Sequence, residues 1–130
     1  MTWKLIWIFA PIGILMGILG LFGLTGSIEP LYWAIFGLFS AYALGRLVLD
    51  RPFQHGLLVG FSWITASLIK VALWQIYLDH NPKFVQIYEA AGGLDKARMF
   101  MLGMSPVVAI AMGAVIGFFA WIVFRMFRRP

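Results

Sequence analysis

The chain has 130 residues, 62% of them hydrophobic and 12% charged, with a mean hydropathy of +0.92 and a net charge of +5. A soluble domain of this size carries about 25% charged residues, so the composition excludes a solvated globule and makes the lipid bilayer the solvent. The absence of Cys removes disulfides, thiolate nucleophiles, Cys-ligated zinc and iron–sulfur clusters.

The expected fold is all-α, a single polytopic membrane domain over residues 1–130. Four transmembrane helices in an up-and-down bundle are predicted at about 5–24, 31–49, 57–78 and 106–125. The first run is long for a signal-peptide core and no A-x-A-like site follows it, so it reads as a retained helix, with Pro11 kinking it or delaying its regular part. Pro30 opens the second span, and the polar stretch Asp50–Gly56 turns the chain into the third. An extracytoplasmic segment over 79–103 follows, with a helix expected to start at Asn81-Pro82 and stop at Gly92-Gly93, then a short turn near 95–102. It reads as an interfacial cap, with a lid or docking surface as the functional alternative. Pro106 at the first turn and Ser105 as cap mark the start of the fourth span.

Lys4, Arg46, Arg51, Arg125, Arg128 and Arg129 fall on one side of this layout. Lys83, Lys96 and Arg98 fall on the other, offset by Glu29, Asp79, Glu89 and Asp95. That asymmetry places both termini in the cytoplasm of a cell with a plasma (inner) membrane. It also assigns the positive charge to lipid headgroups and not to nucleic acid. Trp3, Trp7 and Trp121 would form an inner aromatic belt, and Tyr32, Trp33, Trp74 and Tyr77 an outer one.

Residues that could carry chemistry are few. His55 and His80 are predicted on opposite sides of the membrane, so they share neither a metal nor a haem, and no carboxylate pair lies within a span. Ser40, Ser62 and Ser67 lack a visible base. Seven Met residues read as packing filler. No enzyme activity and no cofactor are therefore expected.

Packing signals are plentiful. Gly13 and Gly17, Gly56 and Gly60, and Gly113 and Gly117 repeat at a spacing of four, which lets helix backbones approach closely in lipid. The spacing serves contacts inside one bundle or with another subunit equally well.

One charge stands out. Lys70 lies about 4 Å outward of the midpoint of 57–78 at 1.5 Å per residue. Its side chain leans toward the helix N-terminus, away from the nearer surface, so snorkelling is disfavoured and the lysine should face the interior. Ser67, Lys70 and Trp74 share a helical stripe, and counting depth from the outer ends brings Gly17, Ser40 and Gly113 to the same level. Lys70, Ser67, Ser40 and Trp74 thus form the candidate intramembrane polar site. Within the membrane no carboxylate is expected beside Lys70, with Glu29 and Asp79 reaching inward only partly.

Phe53, Gly56 and Gly60 entering the third helix, with Tyr77 and Asn81-Pro82 leaving it, resemble uncharacterised small bacterial four-helix membrane proteins. Those often carry a His before the Pro, where this chain has His80 and then Asn81. The resemblance implies a bacterial inner membrane and supplies no activity. Two functions follow as expectations. The first is a non-catalytic structural or accessory subunit, or a homo-oligomer, in which Lys70 meets a partner. The second is a small transporter or lipid-handling protein whose cavity at Lys70 attracts an anionic group.

Overall fold

A computed structural model describes residues 2–25 and 28–127. Among these the chain is helical throughout, with no strand. Three stretches are long and apolar enough to cross a membrane: Trp3–Leu21, Pro52–Ala72 and Leu94–Phe127.

The first stretch is two helices, α1 (Trp3–Phe9) and α2 (Pro11–Leu21), joined at Ala10. Pro11 has no N–H, so the ladder breaks there, and the indole of Trp63 donates to the Phe9 carbonyl at 2.9 Å. The helix stops at Leu21, short of the predicted 24. Gly23 takes a positive φ of 73°, and Gly23 and Leu24 donate back to the Gly20 and Leu19 carbonyls, a glycine-terminated C-cap.

Helix α3 runs Glu29–Leu47, beginning before the predicted 31 and placing Glu29 in its first turn, where the helix dipole favours an acid. The third predicted span is not one helix. It is α4 (Pro52–Ser62), α5 (Ile64–Ala72) and α6 (Trp74–His80), with breaks at Trp63 and Leu73. Ser62 and Thr65 hydroxyls compete for backbone carbonyls at the first break. At the second, Leu73 leaves the helical region (φ −107°, ψ 47°), and Arg98 Nε donates to the Val71 carbonyl at 3.2 Å.

Helix α7 covers Pro82–Ala90, and Gly92 and Gly93 at positive φ turn the chain after it. Asn81 does not cap α7 through its side chain. Its buried amide donates to the Tyr77 carbonyl at 2.7 Å and the Gly20 carbonyl at 3.1 Å, tying α6 to the end of α2. Helix α8 is a single rod, Leu94–Phe127, of 34 residues. The expected start at 106 is therefore wrong. Pro106 lies inside α8, and Ser105 donates to the Met101 carbonyl at 2.6 Å instead of capping. Packing of the Leu94–Met101 turns on α6 and α7 carries the helix through the proline.

The glycine stripes meet each other. Gly60 stands against the Gly113 backbone and Gly56 against that of Gly117, so α4 and α8 touch backbone to backbone. Gly13 and Gly17 face Trp63, Thr65 and Ala66 on α5. All six lie inside this one chain, so they offer no surface to another subunit.

The main core joins Ile6, Phe9, Leu44, Val48, Val59, Trp63 and Ile116. A second cluster around Leu21, Trp74, Tyr77 and Leu78 lies beneath α7. Trp74 and Tyr77 are buried in it, not spread in a belt. Thr2 N–H donates to His55 Nε2 at 3.0 Å, and the Arg46 guanidinium lies 4.1 Å from the Phe127 ring centre. The start of α1, the start of α4, and the ends of α3 and α8 thus share one end of the molecule. Arg128 and Arg129, used in the orientation reading, lie outside the described residues.

Candidate functional site

Lys70 occupies the last turn of α5, not the middle of a long span, because the helix breaks at Leu73. Its Nζ donates to Glu29 Oε1 at 2.7 Å, with side-chain exposures of 12% and 16%. The expectation that no carboxylate would meet it is overturned. Glu29 reaches the lysine because α3 starts early, which sets the carboxylate at the depth of α5's end. Gly20 of α2 leaves the room, since a methyl group there would lie 2.6 Å from Lys70 Cε and 3.3 Å from Glu29 Oε1. The ammonium also sits 5.7 Å from the Tyr77 ring centre.

A chamber of about 140 Å³ adjoins the pair, with Ser67, Trp33, Trp63, Ser105 and Met112 in its wall. Ser67 therefore belongs with Lys70. The other predicted members do not. Ser40 lies about 16 Å along α3 from Glu29 at 1.5 Å per residue, fully buried with its hydroxyl unpaired. Trp74 follows the Leu73 break and stacks on Tyr88, its buried indole N–H also unpaired. Gly113 stands behind the chamber wall, against Gly60, and Gly17 likewise backs onto Ala66, both Gly60 and Ala66 being wall residues. Depth counted from the predicted outer ends misplaces Ser40, because α3 starts earlier than assumed.

A larger pocket of about 690 Å³ opens between α5, α7 and α8. Ile87, Ala91, Phe100, Met101, Met104 and Val108 make it apolar, while Tyr88, Lys96, Ser67 and Ser105 add polar groups. The Tyr88 hydroxyl is 2.8 Å from that of Tyr77. Tyr77 lies beyond the Pro52–Ala72 stretch, and burial, then this neighbouring hydroxyl, push its phenol well above the usual range, so it stays protonated. Glu29, Asn81 and Arg98 were the residues sequence reasoning missed or misassigned. Each acts on a backbone or charge distant in sequence, and only the order Glu-Pro at a helix start hinted at the first.

His55 is buried between the Thr2 N–H and the Arg51 carbonyl, 2.8 Å from its Nδ1, and His80 lies at the opposite end against Phe22. Among the described residues no three His, Asp or Glu side chains cluster as metal ligands would.

These features define an all-helical protein with three helices long and apolar enough to cross a membrane, a part-buried ion pair, and an apolar pocket beside it. No protein-family model matches the sequence, and no curated protein or solved structure is significantly similar to it.

Proposed function

We propose that the protein is a non-catalytic, lipid-handling integral membrane protein of a bacterial inner membrane. It would cross four times, with α3 as the further span and both termini cytoplasmic. The observation that carries this reading is the 690 Å³ pocket, whose size falls in the range of small-molecule sites and whose walls are mostly apolar with a few polar groups. The ion pair redirects the earlier expectation: a lysine already joined to Glu29 is a poor free cation for a partner or an anion. Ala91 is exposed and lines the pocket, so Ala91→Trp fills the space without disturbing the core. Native mass spectrometry should then show the loss of one retained lipid-like molecule per chain. Equal retention in both proteins refutes the reading.

An accessory-subunit role is the second reading. It is supported by an apolar groove of about 470 Å³ between α3 and α8, floored by Ala34, Gly37 and Ala111. A stoichiometric complex surviving gentle solubilisation would favour it.

Topology has its own test. A reporter fused after Pro130 should be active only in its cytoplasmic form, and one inserted at Gly93 only in its external form, because basic residues resist translocation. The opposite pattern reverses the orientation.

A further inference from the structure

The two cavities meet at Ser67. Ser67, Ser105 and Val108 belong to the walls of both the 690 Å³ pocket and the 140 Å³ chamber that holds Lys70 and Glu29. The Ser67 hydroxyl makes no hydrogen bond among the described residues. Ser105 turns its hydroxyl back onto its own helix. These three side chains therefore stand between an apolar outer space and a polar inner one, and a molecule occupying both must pass them.

We infer that the site takes a single-chain amphiphile with a compact head of no net charge, its tail in the outer pocket and its head against the Lys70–Glu29 pair. The inference rests on the lipid-handling reading and adds the ligand class. Volume gives the first argument. At roughly 30 Å³ per heavy atom, the liquid volume of one water, the outer pocket holds about twenty heavy atoms. That is room for one acyl chain and not for two. The inner chamber holds about four or five such atoms on the same scale, the size of an amide head or of the dihydroxypropyl end of a monoglyceride.

Charge gives the second argument. Lys70 and Glu29 sum to zero, and at 2.7 Å they satisfy each other with one hydrogen bond. The ammonium keeps two further N–H groups, and the carboxylate keeps a second oxygen. An uncharged head with both a donor and an acceptor matches this set. A carboxylate head would meet Glu29 as well as Lys70, and an amine head would meet Lys70, each adding an unbalanced charge beside a part-buried pair.

The test uses the full chain in mild detergent with three probes sharing one tail: monoolein, ionised oleate and oleylammonium. Monoolein should bind at least about tenfold more tightly than either charged probe. Glu29→Gln should move the preference to oleate, and Lys70→Met to oleylammonium. Ser67→Phe, which fills the boundary between the two spaces and leaves the pair intact, should abolish the preference for monoolein. Should the charge variants not fold, the wild-type ranking and Ser67→Phe decide. Wild-type protein that binds oleate as well as monoolein, or Ser67→Phe that keeps the ranking, overturns the inference while the pocket reading stands. No binding of any probe, with Ala91→Trp indistinguishable from wild type, overturns the lipid-handling reading itself.

Discussion

Lys70→Met and Glu29→Gln should each destabilise the protein by about 3 kcal/mol, and the double variant should recover most of that loss. Removing one member of a buried pair strands the other charge, at a cost of about 3–5 kcal/mol. The lower figure applies here because 12% and 16% of the two side chains stay exposed. The double variant leaves no charge behind, and apolar replacement of a whole pair is often neutral. Thermal unfolding in detergent of the four proteins forms a double-mutant cycle. Additive losses would mean that the two groups do not interact in the folded protein, and the inner chamber would lose its polar floor.

Gly60→Leu and Gly113→Leu should be still more damaging, by more than about 3 kcal/mol. A side chain at either glycine would overlap the backbone of the facing helix, and backbone cannot step aside as the end of a side chain can. Gly103 is the internal control. It lies in the same helix α8 but has nothing within 4 Å of the added carbon, so Gly103→Ala should be neutral or stabilising by about 0.5–1 kcal/mol. Similar melting temperatures for Gly113→Leu and Gly103→Ala would show that α4 and α8 do not touch as described.

The helices and their glycine contacts were legible in the sequence because both follow from local rules: apolar run length and a spacing of four. Pro11 and Gly92-Gly93 likewise act within one or two turns of themselves. What failed was anything that depended on depth. The breaks at Trp63 and Leu73 come from hydroxyls and from Arg98 drawing carbonyls out of the ladder, and neither residue type forbids a helix. Pro106 read as a start, yet packing on α7 carried α8 past it. Those shifts moved Lys70 from mid-span to a helix end, drew Glu29 beside it, and left Ser40 and Trp74 elsewhere. The outer pocket was not legible at all, since its walls come from three helices whose relative heights no periodicity encodes.

Pro106 also has a mechanical consequence. Toward its C-terminus, α8 is clamped to α4 through Gly113 and Gly117. Toward its N-terminus it forms a pocket wall, and between the two the proline cannot donate to the Leu102 carbonyl. The stretch from Leu94 to Ser105, about 18 Å long at 1.5 Å per residue, is thus joined to the clamped half by a ladder that lacks one hydrogen bond. Its packing on α6 and α7, with the Arg98 bond to the Val71 carbonyl, sets where that pocket wall stands.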